Sequence, residues 1–273
     1  MNSAHANRFR FRVRAAGAGL ALWHVPLALA GAAPVPAVGG CLPQNGFVAT
    51  VSSVSDGRTL VLADGREVRL AAIETPGAWA RDALPALLTG HPITFSPLSP
   101  RPDRYGRIAA RAFVVENGVP RPLETELVAK GLAFVGLVEK GSQDQACLAS
   151  LLVGEAAARR NKLGLWADPD YDTKATDNPA AILGVKGRFA IIEGKVLSVR
   201  ESGGTVYVNF GRRWSEDFTV TILKRISAKF VAAGIDPKRL EGRRIRVRGF
   251  VEERGGPWIE ATTPEQIEIA EGR

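Results

Sequence analysis

The sequence predicts an α+β chain, mainly β, built as two tandem five-stranded Greek-key barrels of the OB type. Three observations predict it. Short runs rich in Val, Ile, Leu and Thr recur between Asp-Gly and Gly-Gly turn signals. Residues 46–167 and 185–270 each show three strands, a helix and two more strands, an order that suits a small barrel. An Asp- and Pro-rich stretch, 168–184, separates the two groups.

In the first group, strands are expected at 47–54 and 59–62. Asp64-Gly65 is a hairpin signal, and a third strand follows to Ile73. A helix at 78–88 carries Pro85 inside it. Strands follow at 91–97 and 107–115, then helices at 123–131 and 143–161, the last ending near Gly164-Leu165-Trp166. The second group offers strands at 189–200, 204–211, 217–222, 243–252 and 257–262, with a helix at 223–234. No residue-level repeat relates the groups, so only architecture is shared. Residues 168–184 hold Asp168, Asp170, Asp172 and Asp177 with Pro169 and Pro179. Such a composition seldom packs, and a linker is expected there.

The chain has 273 residues, 45% of them hydrophobic and 23% charged, which suits a globular protein with a true core. Its first segment is set apart. Arg8, Arg10, Arg12 and Arg14 precede an apolar run and then small residues, the order of a secretory signal peptide at 1–32. His24 and Pro26 interrupt that run, and a membrane span needs roughly 20 apolar residues. No span is therefore expected in the mature chain. A proline-rich lead-in covers 33–45.

Export, to the periplasm or outside the cell, changes the charge balance. Removing the four signal arginines lowers the formal +8 to +4. A surplus of that size is compatible with a polyanion partner and does not require one. Cys41 and Cys147 are the only cysteines, an expected disulfide in an oxidising compartment. The alternative is lipoprotein processing at Cys41, after Val38-Gly39-Gly40. Oligomeric state is not fixed by the sequence.

Four stretches carry the chemistry: Asp56-Gly57-Arg58-Thr59, Arg69 through Pro76, Asp103-Arg104-Tyr105-Gly106-Arg107, and Gly164-Leu165-Trp166. Their order over about 46–167 resembles the staphylococcal nuclease (thermonuclease) family. The resemblance implies a barrel with nuclease-like helices and hydrolysis of DNA or RNA. It implies Ca²⁺ held by two aspartates and a carbonyl, a glutamate acting on water, and two arginines gripping phosphate.

By position, Arg69 and Arg107 fall on the phosphate arginines and Thr75 on the carbonyl ligand. Glu74 replaces the second metal aspartate, Arg58 the first, and Gly77 the glutamate. The resemblance thus implies a degenerate catalytic set of Arg69, Glu74 and Arg107. Phosphate binding falls to Arg69, Arg107 and Arg58, with a metal site reduced to Glu74 and Thr75. Calcium takes six to eight oxygens, with carboxylates for charge. A unit charge about 4 Å away is worth roughly 4 kcal/mol at an effective dielectric of 20, and a guanidinium reverses its sign. Losing a general base costs about 10²–10⁴-fold.

The expected function is an exported, thermonuclease-like protein that binds nucleic acid or another phosphate-bearing ligand with weak or no cleavage. No cofactor is expected, or Ca²⁺ or another divalent ion if the site is active. One alternative is an active divalent-metal phosphodiesterase working through Glu74. Another is a cell-envelope interaction module with no nucleic-acid role. In the second group, Tyr207, Phe210, Trp214, Phe218 and Trp258 are either core or a stacking surface. Arg244, Arg246 and Arg248 alternate with apolar residues, which puts them on one expected exposed strand face. With Trp214 they make a candidate nucleic-acid face. His5, His24 and His91 are too few for a histidine-based site.

Overall fold

The computed structural model describes residues 41–76, 78–88, 92–137 and 145–270. The expected signal peptide, most of the lead-in, Gly77 and His91 lie outside the described residues.

The first half runs β1 (Phe47–Ala49), β2 (Val51–Val54), β3 (Thr59–Leu62), β4 (Glu67–Leu70), β5 (Ile73–Glu74), α1 (Trp79–Leu88), β6 (Ile93–Pro97), β7 (Ile108–Glu116), β8 (Val119–Pro122), α2 (Leu123–Ala129), β9 (Phe134–Val135) and α3 (Gln145–Arg160). The principal sheet has the order β1-β6-β7-β4-β3-β2, with β8 also on β7. It is a curled half-barrel, consistent with an OB-like fold. Alternation explains its faces. In β4, Val68 and Leu70 are buried while Glu67 and Arg69 are half-buried on the other side. Leu60, Leu62, Phe95 and Ala112 complete the core beneath helices α1, α2 and α3. The Asp64-Gly65 turn forms as expected, with Gly65 at φ 85°.

The expected third strand does not continue to Ile73. Ala72 takes φ 57°, a left-handed conformation rare for a residue with a Cβ. It is held by neighbours on both sides: Ala71 N–H donates to Ala110 O and Gly136 N–H to Ala72 O. The break turns Ile73–Glu74 away to pair with β9, in the register Ile73↔Val135 and Glu74↔Phe134.

The second half runs β10 (Lys174–Ala175), α4 (Pro179–Leu183), β11 (Phe189–Lys195), β12 (Ser198–Ser202), β13 (Thr205–Asn209), β14 (Thr219–Leu223), α5 (Ser227–Ala232), β15 (Arg244–Phe250), β16 (Glu252–Arg254), β17 (Gly256–Glu260) and β18 (Ile267–Ile269). Its strands divide between two sheets, β10-β11-β15-β18 and β12-β13-β14-β17-β16, around one core of Val206, Val220, Ile222, Phe230, Ile245 and Ile259.

The segment expected as an unpacked linker is ordered. β10 pairs in parallel with β11. Asn178 caps α4 by accepting the Ala181 N–H at 3.1 Å, Pro179 begins the helix, and Ile182 is fully buried. The physical reason is that Asp, Asn and Pro also serve turns and helix starts. A single buried isoleucine then docks the segment.

Both halves belong to one compact unit, Val38–Arg273. They share a small cluster of Phe134, Ala158, Leu165, Trp166 and Ile191, in which Phe134 meets Trp166 edge-on at 5.0 Å. Cys41 and Cys147 are joined in a disulfide, with Cα atoms 4.6 Å apart, beside buried Phe113. Among the described residues no helix is long and apolar enough to cross a membrane.

Candidate functional site

The site is assembled by three turns of the first half. In the β2–β3 turn, Asp56 Oδ1 accepts the N–H groups of Arg58 (2.8 Å) and Thr59 (2.7 Å). Its Oδ2 accepts the Thr59 hydroxyl at 3.0 Å. The carboxylate is therefore engaged in its own turn. Gly57 lies tight against Thr75, where a Cβ would come within 2.4 Å of Thr75 Oγ1. That approach seats the turn on the end of β5.

Arg58 then reaches across to β5. Its Nη1 donates to Ile73 O at 2.8 Å and pairs with Glu74 Oε1 at 2.6 Å. Arg69, whose neighbour Thr59 faces it in the β3–β4 register, brings Nη2 to 3.9 Å from the same oxygen. Burial pushes the Glu74 carboxyl above its ordinary value, against the pull of Arg58 and Arg69, and lowers the Arg58 guanidinium. Arg69 keeps its side chain about a quarter exposed, at 25%.

The third turn precedes β7. Asp103 Oδ1 accepts the N–H groups of Tyr105 and Arg107, at 2.8 and 3.0 Å. Its Oδ2 accepts Arg107 Nε at 2.9 Å and Nη2 at 2.8 Å. Gly106 at φ 82° closes the loop, and the Arg107 guanidinium lies 4.9 Å from the Tyr105 ring centroid. β4 and β7 are parallel with Arg69 opposite Ala109, so Arg107 precedes Arg69's partner by two positions. The two arginines expected to grip phosphate thus come from a strand and from the turn that enters its neighbour.

Residues 65–168 match the family described as staphylococcal nuclease homologue. This segment is a staphylococcal nuclease homologue domain. The match begins beyond Arg58, so the Asp56–Thr59 turn lies outside it even though that turn packs on Thr75 inside it. No curated protein matches the chain.

The acidic side chains around the end of β5 already have partners. Glu74 is already held by a guanidinium, and Asp56 is engaged by two backbone N–H groups and a hydroxyl. Among the described residues no three His, Cys, Asp or Glu side chains gather as metal ligands would.

A second carboxyl in the domain is also buried. Glu124, at the start of α2, accepts the Ala112 N–H at 3.0 Å on Oε1, while Oε2 has no hydrogen-bond partner among the described residues. Burial pushes it up to about 7, against the pull of nearby backbone N–H groups and of Arg111. The folded value lies above the ordinary 4.5, so the folded chain binds this proton more tightly. Its stabilisation is full below the ordinary value and is lost as pH rises through about 7, a swing of roughly 3 kcal/mol. Urea unfolding at about pH 5 and about pH 8 should show that loss in the parent and little of it in Glu124→Gln. Equal pH dependence in both would refute it.

Of the expected basic face of the second half, the structure buries Arg248 and leaves Arg244 exposed. Arg248 is 1% exposed. Its Nη1 donates to Val135 O at 2.9 Å and Glu155 Oε1 at 3.0 Å, and its Nη2 to Glu155 Oε2 at 2.8 Å and to Glu268. Arg244 and Arg246 both pair with Glu193 on β11, at 2.7 and 2.5 Å. β15 has neighbours on both edges, and alternation put its arginines on one side without saying what covers that side. Glu155 of α3 covers it at Arg248. Glu155 was missed by the sequence analysis, although a lone acid in the run Leu151-Leu152-Val153-Gly154-Glu155-Ala156-Ala157-Ala158 was the available signal. Trp214 is exposed, but it belongs to a cleft on the other sheet.

Proposed function

We propose that the nuclease-homologue domain binds nucleic acid or another phosphate-bearing ligand through Arg69 and Arg107, and cleaves it weakly or not at all. One observation carries the proposal: the Arg58 guanidinium sits 2.6 Å from the Glu74 carboxylate. A built-in cation thereby takes the acid that a divalent metal would need. It also offsets the charge that would otherwise turn Arg69 inward. Arg69, at 3.9 Å from Glu74, retains forked donors suited to phosphate oxygens. Arg107 is preset by Asp103 and Tyr105, and an incoming phosphate competes with a single carboxylate oxygen. The proposal takes the protein as exported after loss of residues 1–32, in a compartment where the disulfide persists, with two OB-type barrels in tandem.

Two measurements test it. Incubation with single-stranded DNA and Ca²⁺ should give little fragmentation, and rapid cleavage abolished by EDTA would sink the proposal. Arg69→Ala and Arg107→Ala should each weaken oligonucleotide binding by about tenfold and reduce the salt slope by about one. Binding indifferent to both substitutions and to salt would favour a cell-envelope interaction role instead.

A further inference from the structure

We propose that the cleft on the five-stranded sheet of the second half is a separate binding site for single-stranded nucleic acid. The cleft measures about 560 Å³, and Arg200, Tyr207, Asn209, Trp214, Arg254 and Trp258 shape it. Strand register builds it. Arg200, Tyr207 and Thr221 stand in one row across β12, β13 and β14, and Asn209, Thr219 and Trp258 in a second across β13, β14 and β17. The alternate residues Val206, Val208, Val220 and Ile222 point into the core. The cleft on the face they leave is lined by polar, aromatic and cationic side chains, and the two rows run on to Glu260 and Glu252 at its margin.

Its aromatics are set for stacking. Trp258 Nε1 donates to Thr221 Oγ1 at 2.7 Å, which fixes the indole, and the Arg254 guanidinium lies 3.2 Å from its ring centroid. Arg254 is also paired with Glu252 at 3.1 Å, an exposed contact that solvent screens. Trp214 stands 73% exposed on the β13–β14 loop. That loop is held: Asp217 accepts the Arg213 N–H at 2.7 Å, and a Cβ at Gly256 would meet Asp217 O at 2.6 Å. An exposed tryptophan on a braced wall faces the cleft that Trp258 and Tyr207 also line.

The chemistry selects the occupant. Rings that stack on aromatic side chains, joined to phosphates that complement Arg200 and Arg254, describe an unpaired polynucleotide. A duplex keeps its base faces stacked within itself. A neutral saccharide can lie on tryptophan but leaves both arginines without a partner. An organic cation is opposed by them. The cleft shares no residue with the Arg69–Arg107 site, so the inference does not rest on the function proposed for that site.

The probe is oligodeoxythymidylate, followed by tryptophan fluorescence and by anisotropy of a labelled strand. In the full chain carrying Arg69→Ala and Arg107→Ala, the oligonucleotide should still bind and quench tryptophan emission. Adding Trp214→Ala, an exposed position that leaves the core intact, should weaken that binding about tenfold or more. Trp258→Phe should weaken it less, since a stacking face remains. Rising salt should weaken it too. Unchanged affinity in Trp214→Ala would overturn the proposal, as would binding of a neutral oligosaccharide in place of oligodeoxythymidylate. Binding lost with the Arg69 and Arg107 substitutions alone would overturn it while leaving the first site's reading in place.

Discussion

Replacing Arg248 with methionine is expected to lower the unfolding free energy by about 3–5 kcal/mol. Arg248 and Glu155 are each about 1% exposed, and they meet through two hydrogen bonds, at 3.0 and 2.8 Å. Burial works against the arginine's charge, yet Glu155 and Glu268 outweigh it and raise the Arg248 pKa above its ordinary value. Methionine fills much of the volume but strands the acid. Glu155 Oε1 still accepts the Val135 N–H at 2.7 Å, and Arg159 lies 3.7 Å from Oε2, which leaves a buried carboxylate incompletely paired. The cost is the orphaned charge, so Arg248→Met combined with Glu155→Gln should recover a large part of it. Urea unfolding of the parent, the single and the double variant measures this. A single-variant loss below about 1 kcal/mol would contradict the argument.

The same contact connects the two halves to the candidate site. Val135 belongs to β9, β9 pairs with β5, and β5 carries Glu74. Releasing Arg248 removes a donor from Val135 O, and amide exchange at Ile73 and Glu74 should then accelerate in Arg248→Met more than at the Asp64-Gly65 hairpin. The second half thus acts on the first as a brace behind the strand that holds the Arg58–Glu74 pair.

What the sequence made legible follows a physical divide. The Asp64-Gly65 hairpin, strand Thr59–Leu62, the helix from Trp79 and the long helix to Arg160 came through because their signals are local: a turn residue with free φ, or a period of 2 or 3.6. The Cys41–Cys147 bridge was legible because only two cysteines exist. The break at Ala72 was not, because tertiary hydrogen bonds, from Ala71 N–H to Ala110 O and from Gly136 N–H to Ala72 O, hold it at a residue with no turn preference. The order of 168–184 was hidden because the same aspartates and prolines signal loops when unpacked and caps when one Ile182 docks. At Arg248, alternation named the side but not its cover, since Glu155 approaches from 93 residues away. In the candidate site, Arg58 was placed by its motif. That it turns inward onto Glu74 depends on how its turn seats on the end of β5, where Gly57 lies close against Thr75.

Replacing Cys41 and Cys147 together with serine is expected to cost about 4–5 kcal/mol in the chain-entropy account, because the bridge closes a loop with a sequence separation of 106. Both cysteines are buried against Phe113, and the chain beyond Cys41 is also held where the Gln44 N–H donates to Ser96 Oγ at 2.9 Å. Folded-state contacts near the bridge therefore survive its loss, and the effect falls chiefly on the unfolded chain, which expands. Urea unfolding should show a lower midpoint with a larger m-value, and the parent in excess dithiothreitol should match the double serine variant. A loss under about 1 kcal/mol, or an unchanged m-value, would contradict an unfolded-state origin. The bridge and Arg248 hold the same helix at two points, Cys147 near its start and Glu155 two turns on. At 1.5 Å per residue these points are about 12 Å apart along the axis, beyond the reach of direct coupling. Losing both anchors should cost nearly the sum of the separate losses, and a shortfall well beyond about 0.5 kcal/mol would mean that the helix shifts as a body once either anchor is gone.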